Sequence, residues 1–258
     1  MHKNKNTMNQ GNGVKNMIRL EHIIKEFKNG EHITRALDDI NINIEKGEFV
    51  AIMGPSGSGK STAMNILGLL DVSTKGKYFL NGENVAGLTE KEYAKIRNKE
   101  IGFIFQSYNL LSRLSVYRNV ELPLIYSGLS KSMRKQRVLE SLERVGLADK
   151  ANNKPNQLSG GQMQRVAIAR ALAIHPSFLL ADEPTGALDQ KTGKMVMDLF
   201  TKLHSEGVTI ILVTHDAHVA TFADRTIEIL DGRINESDKS FLDINFKTTD
   251  KMNVEVNQ

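Results

Sequence analysis

The apolar run Phe49-Val50-Ala51-Ile52-Met53 passes without a break into Gly54-Pro55-Ser56-Gly57-Ser58-Gly59-Lys60-Ser61-Thr62, and no other stretch narrows the choice of fold as much. A strand, a glycine loop and a helix opening at Lys60 carry the spacing G-x-x-x-x-G-K-S. In that pattern backbone N–H groups close around phosphates, the lysine reaches the outer ones and the serine hydroxyl meets Mg²⁺. Glycines permit backbone approaches that a Cβ would obstruct, and the following helix turns its positive end toward the anion. A random chain of average composition and this length shows the pattern roughly once in a hundred trials. A glycine-rich surface turn would explain the glycines but not Lys60-Ser61 directly after an apolar strand.

Strand signals recur around this unit. Ile18 to His22, Asp38 to Ile44, Lys77 to Leu80 and Ile101 to Phe105 read as strands, and Thr89 with Glu92 forms a capping box opening a short helix. Between Gln106 and Ser159 the texture becomes helical: Val138, Leu139, Leu142 and Val145 share a face, and Gly146 is placed to stop that helix. Phe178 to Ala181, a helix face of Met195, Val196, Leu199, Phe200 and Leu203, and Thr209 to Val213 then give β-α-β alternation, which implies a parallel sheet. Ile227 to Leu230, Asp231-Gly232 and Arg233 to Asn235 predict a closing hairpin. The expected fold is α/β, with a helical subdomain inserted at about residues 107–172.

Composition excludes several classes. At 258 residues the chain can bury a full core, and 40% hydrophobic with 25% charged residues is the balance of a soluble globular protein. No apolar segment approaches the roughly eighteen residues of a bilayer span, and the start lacks a secretory h-region, so a cytoplasmic location is expected. Zero cysteines exclude disulfides, thiolate metal sites and thiol nucleophiles, leaving oxygen-ligated Mg²⁺ as the expected metal. The net charge of +4 is small and scattered, so no nucleic-acid partner is expected. Residues 1–16, rich in Asn, Lys and Gly, read as a disordered leader, 17–236 as one nucleotide-binding domain, and 237–258, polar apart from Phe241, Leu242, Ile244 and Phe246, as a tail of unassigned structure.

Two further constellations carry chemistry. Asp182-Glu183 end the strand Phe178 to Ala181, which puts two carboxylates at the carboxyl edge of a parallel sheet, where ligands bind. Leu158-Ser159-Gly160-Gly161-Gln162 opens a helix running to about Leu172; Ser159 and Gln162 fit a capping box. Two successive glycines exceed what capping needs and leave helix N–H groups open to an anion.

The P-loop, Gln106 after a strand, the Leu158-to-Gln162 segment, Asp182-Glu183, Ala187-Leu188-Asp189 and His215, in that order, resemble the ATP-binding subunit of an ABC transporter over about Met17 to Asn235. The resemblance implies the ABC ATPase fold: a P-loop NTPase core with a mainly parallel sheet, an antiparallel β subdomain and the inserted α-helical subdomain. It implies ATP and Mg²⁺ as ligands, with Gly54 to Thr62 around the phosphates and Phe27 stacked on adenine. Ser61, Gln106 and Asp182 would hold the metal, Glu183 would polarise the attacking water, and His215 would hydrogen-bond the γ-phosphate. Ser159, Gly160, Gly161, Gln162 and Asp189 would act in trans on the nucleotide of a second copy, in a head-to-tail homodimer; Gly186 departs from the serine common before the Ala-Leu-Asp segment. A membrane permease is the implied partner, on the cytoplasmic side of the cell membrane, and residues between Gln106 and Val120, including Tyr108, Leu110, Leu111 and Leu114, are the expected groove for one of its helices.

Within the superfamily, Lys154-Pro155-Asn156-Gln157, Phe105 to Leu110 and Ala181 to Asp189 look like the branch of macrolide exporters, lipoprotein-release systems and antimicrobial-peptide resistance pumps. This implies export or extraction of a peptide, lipoprotein or antibiotic. The alternative is a same-branch ATPase of a cell-division or signalling complex that transmits force without moving a substrate. A structural-maintenance ATPase would insert a long coiled coil where only about fifty residues separate Gln106 from Ser159, and a translation factor of the class would carry two P-loops.

Overall fold

The structure, a computed structural model, describes residues 16–237. The expected leader up to Lys15 and the tail beyond Ser237, with Phe241, Leu242, Ile244 and Phe246, lie outside the described residues.

Two sheets form the frame. Strands β1 (Asn16–Asn29), β2 (His32–Glu45), β4 (Lys75–Leu80) and β5 (Glu83–Asn84) make a 4-stranded antiparallel sheet in the order β2-β1-β4-β5. The second sheet is 6-stranded. It runs β10-β9-β3-β8-β7-β6, from β3 (Phe49–Met53), β6 (Ile101–Ile104), β7 (Phe178–Asp182), β8 (Thr209–Val213), β9 (Arg225–Leu230) and β10 (Arg233–Ser237). All its pairs are parallel except β9 with β10. The expected α/β fold of the ABC ATPase type is thus present.

Strand periodicity divides the interior into two cores. Along β3, Phe49 and Ala51 face one cluster while Val50 and Ile52 face the other. Leu179 and Ala181 alternate with Phe178 and Leu180 on β7 in the same way, as do Ile210 and Leu212 with Ile211 and Val213 on β8. The first cluster is covered by α3 (Val116–Ile125), α4 (Lys131–Arg144), α5 (Gly160–Ala173) and α6 (Gln190–Ser205). The second is covered by the antiparallel sheet, α1 (Lys60–Leu67) and α2 (Glu90–Glu100). Both faces being buried, these strands carry unbroken apolar runs. A short helix α7 (Ala217–Ala220) follows β8.

Several local expectations are met. Thr89 and Glu92 form the reciprocal capping box of α2, and Gly146, at φ 68°, follows the end of α4. Others are corrected. The first strand runs on from His22 to Asn29, and the second starts at His32, so Phe27 lies on a long antiparallel hairpin. Register shifts on either side of Ile23 and a left-handed His22 (φ 51°) break the alternation that a sequence pattern needs. Helix α1 ends at Leu67. Leu139 (37% exposed) and Met195 (51%) lie off the buried faces to which their spacing assigned them.

The helical layer holds one buried charge cluster. Glu121 on α3 is almost fully enclosed and takes Arg118 Nη1 at 2.5 Å and Arg134 Nε at 3.2 Å, which joins α3 to α4. Removing the carboxylate would leave the half-buried Arg134 without its partner. Glu121→Ala is expected to destabilise the protein by about 2–3 kcal/mol in urea unfolding at neutral pH.

Candidate active site

Register places the reactive segments in a row. Ile52 on β3 and Asp182 on β7 both pair with Val213 on β8, so the three strands end together and release Gly54, Glu183 and Thr214 at one edge. A Cβ on Gly54 would collide with the Ile229 carbonyl, which is why the loop leaves β3 through a glycine at φ 150°. The loop is then tied from below: Gly232 N–H donates to Ser58 O at 2.9 Å, and Gly232 O accepts from Asp38 N–H at 2.8 Å. Lys60 Nζ folds back to the carbonyl oxygens of Gly54 and Pro55, both at 2.7 Å. Its charge meets dipoles there and no carboxylate. The Ser58 hydroxyl is buried without a partner beneath the loop.

The two carboxylates differ. Asp182 closes β7; burial raises its pKa first, the neighbouring Glu183 adds to the rise, and Lys60 opposes it. Glu183 sits at φ 43°, a left-handed conformation that a non-glycine residue adopts at a cost. Its backbone is held by Val213 O at 2.9 Å. Its Oε1 takes the His215 N–H at 3.0 Å and lies 2.6 Å from His215 Nδ1, and its Oε2 accepts the Thr214 hydroxyl at 3.1 Å. Thr214, fully buried, was not singled out from sequence; only its position beside His215 could have flagged it.

Gln106 leaves β6, and its amide packs where a Cβ on Gly186 would stand, 2.7 Å from that position. Gly186 therefore seats Gln106 on the turn after Glu183, a role for the departure from serine. Beyond it Tyr108 (φ 61°) and Asn109 (φ 49°) are both left-handed. Arg170 on α5 donates to Tyr108 O at 2.8 Å and Asn109 O at 2.5 Å.

Ser159 caps α5 in a reciprocal box: Gln162 N–H reaches its hydroxyl at 3.3 Å and Gln162 Oε1 accepts its N–H at 2.9 Å. Each following glycine has a neighbour from its own chain. The Tyr108 hydroxyl and Leu188 stand against Gly160, and the Thr192 methyl stands against Gly161. Close packing within the protomer is thus a second reason for the glycine pair, beside the open N–H groups expected from sequence. Thr192 also donates its hydroxyl to Asp189 Oδ2 at 2.6 Å, and its N–H bonds the same carboxylate, holding the Asp189 pKa below the usual range. Further along α5, Gln164 donates to Pro184 O at 2.8 Å while its Oε1 is buried without a partner. Phe27 lies apart from these contacts, 46% exposed with Lys25 Nζ 4.9 Å from its ring centroid.

The residues fit a nucleotide with a hard divalent cation. Lys60 is bonded to carbonyls alone, Ser61 is exposed, and Asp182 faces Lys60 across the loop. Among the described residues no group of three or more His, Cys, Asp or Glu could hold a metal, so a cation here needs phosphate oxygens beside Ser61 and Asp182.

A groove of about 1380 Å³ opens between α2 and β6 on one side and α3, α4 and α5 on the other. Of the stretch expected to form a partner groove, only Asn109 lines it, together with Phe105 just before. Leu110 packs on the core, while Tyr108, Leu111 and Leu114 do not line this cavity, and Leu111 is exposed.

The family model for the ABC transporter matches residues 37–186. An ABC transporter ATP-binding protein of Bacillus subtilis, YknY, is 52% identical over 218 residues, covering 84% of this chain and 95% of its own length. The macrolide export ATP-binding/permease protein MacB of Aggregatibacter actinomycetemcomitans is 52% identical over 219 residues, 85% of this chain, which spans only 34% of that longer protein. Among solved structures, the dimeric post-hydrolysis state of the ATP-binding cassette MJ0796 of Methanocaldococcus jannaschii, bound to ADP and Pi, superposes with a TM-score of 0.78 at 49% identity, over 86% of this chain and 98% of that one.

The raised pKa of Asp182 means that its ionised form opposes folding. That cost is present above the folded pKa and is relieved as pH falls through it toward the ordinary carboxylate value. Asp182→Asn should therefore raise the Tm of the nucleotide-free protein by about 2 °C at pH 7, with the gain shrinking as pH is lowered in scanning calorimetry.

Proposed function

The chain belongs to the ABC transporter family as an ATP-binding subunit with ATPase activity coupled to transport, and from that premise we propose that two copies close head to tail on ATP and drive a membrane permease in export or extraction of a peptide, lipoprotein or antibiotic. One observation carries this: a single sheet edge presents the glycine loop with Lys60, the Asp182-Glu183 pair and His215, with Glu183 hydrogen-bonded to His215.

In this reading Lys60 and the loop N–H groups from Gly57 to Thr62 bind the phosphates, and Phe27 covers adenine. Ser61, Asp182 and the Gln106 amide hold Mg²⁺, which when bound neutralises charge on the phosphate oxygens. Glu183 draws a proton from the attacking water as general base. The Thr214 hydroxyl fixes one carboxylate oxygen, and the exposed His215 ring, turning toward the γ-phosphate, frees the other for water. Ser159 accepts the Gln162 N–H through its oxygen, which leaves its hydroxyl proton for an anion on the opposing copy. Asp189, already ionised and ordered by Thr192, lies next to that junction.

The dimeric MJ0796 cassette with ADP and Pi supports the paired arrangement. MacB, by its name, unites ATP-binding and permease parts in one chain, and this chain corresponds to about a third of it. In this reading a membrane permease docks on the subunit and holds it at the cytoplasmic face of the membrane. Among the described residues no helix is long and apolar enough to cross a membrane.

Glu183→Gln is expected to lower kcat at least 100-fold and to give an ATP-dependent dimer in gel filtration; normal turnover, or a monomer at saturating ATP, would count against the proposal. Ser159→Ala should reduce kcat about tenfold or more while the monomer binds a fluorescent ATP analogue nearly as before. Co-reconstitution with a copurified membrane partner separates a pump, which moves substrate between compartments, from a force-transmitting ATPase, which is stimulated without moving any.

A further inference from the structure

The hairpin that carries Phe27 and the loop that carries Lys60 are joined by a run of ion pairs that belongs to neither. Glu26 and Arg35 face each other in the register of β1 and β2, beside the pair Phe27 and Thr34. Arg35 donates to Glu26 Oε1 from Nε at 3.1 Å and from Nη2 at 2.9 Å, and to Asp38 Oδ1 from Nη1 at 2.8 Å. Asp38 turns its other oxygen to β10, where Oδ2 accepts from Arg233 Nε at 3.1 Å and Nη2 at 2.9 Å. Its backbone N–H reaches Gly232 O, and the Gly232 N–H reaches Ser58 O in the glycine loop. Packing follows the same line. The Ala36 carbonyl oxygen stands 2.6 Å from where a Cβ on Gly59 would lie and 2.9 Å from that of Gly232. Both glycines have positive φ, 108° and 76°, so a side chain at either would be strained as well as crowded.

Asp38 is the junction of this network. Arg233 first and Arg35 next hold its carboxyl below the usual range, and the contacts with Asp38 and then Glu26 raise Arg35. The side chains of Arg35 and Arg233 are 50% and 76% exposed, so each pair by itself adds little to folding stability. Their shared effect is on geometry. We propose that Asp38 is a positioning residue that fixes the span between Phe27 and the glycine loop, so that one nucleotide meets its base contact and its phosphate contacts together. The proposal rests on the nucleotide-binding reading above and deepens it by naming what sets the distance between the two ends of the site. A ligand held at two ends gains from the second contact only when the spacing of the ends is set before it arrives. Without the Asp38 charge, Arg35 keeps Glu26 and Arg233 is released. Each sheet then retains its own ladder, while the ionic link between β2 and β10 is lost.

The test compares ADP, which uses both ends, with inorganic pyrophosphate, which uses the glycine loop alone, by isothermal titration calorimetry on the full-length protein with Mg²⁺ present. Asp38→Asn is expected to weaken ADP about fivefold while pyrophosphate stays within about twofold. Arg233→Gln should reproduce part of that loss, and Arg233→Lys should keep more of the affinity than Arg233→Gln does. Phe27→Ala should lose ADP affinity to a similar extent, and adding Asp38→Asn to it should cost little more, because the contact that the brace serves is already gone. Raising the salt should lower the ratio of ADP to pyrophosphate affinity in the wild-type protein and leave it flat in Asp38→Asn. Thermal unfolding followed by circular dichroism reports that each variant is folded, and if Asp38→Asn is not, the exposed Arg233→Gln decides. Equal weakening of ADP and pyrophosphate overturns the inference, since it places the effect in the glycine loop. Unchanged ADP affinity in Asp38→Asn and Arg233→Gln overturns it as well, as does a fully additive loss in the double variant. A wild-type protein that binds neither ligand would strike at the nucleotide reading, whereas normal wild-type binding with an unaltered ratio in the variants strikes at this inference alone.

Discussion

Parallel pairing of β3, β8 and β7 is the constraint on which everything else rests, because it sets where three chain segments leave the sheet. Ile52, Val213 and Asp182 lie in one row, and the residues after them form the glycine loop, the turn carrying His215 and the turn carrying Glu183. A slip of one residue on any of these strands would exchange its two buried faces between the two cores. Both cores are filled by alternating side chains of the same strands, so each resists that slip. The precision of the site therefore derives from apolar packing some distance away from it.

Helix α5 is the second organiser. Its first turn carries the Ser159 box and the two glycines, its middle sends Gln164 to the carbonyl of Pro184 beside Glu183, and its last turn sends Arg170 to the loop after Gln106. The Gln164 and Arg170 links are side-chain donors on a rigid helix meeting backbone carbonyls in loops. Such bonds fix loop geometry without requiring a particular side chain in the loop, and they move together if the helical layer moves as a body.

Local costs are present at the site too. Glu183, Tyr108 and Asn109 occupy left-handed backbone, Ser58 and Gln164 each keep a buried oxygen without a partner, and Asp182 is held in a setting that opposes its charge. The two cores, by contrast, are made of fully enclosed aliphatic and aromatic side chains such as Phe49, Phe178 and Phe200. Strain of this kind persists only where surrounding packing over-determines it.

Much of this was legible in the sequence. The apolar runs of β3, β7 and β8, the glycine loop, and the capping boxes at Thr89 and Ser159 are local patterns, and local patterns survive in one dimension. The bulged hairpin carrying Phe27 was not, since register shifts break its alternation. Thr214, Thr192, Gln164 and Arg170 were also invisible, each gaining its meaning from a neighbour distant in the chain. The sequence by itself determined the α/β class and the residues able to bind phosphate and move a proton, because those depend on short spacing and side-chain chemistry. Only the tertiary structure decided which carboxylate is hydrogen-bonded by His215 and Thr214, which side chains crowd Gly160 and Gly161, and where the groove beside α2 lies, because these are contacts made by register and packing between distant segments.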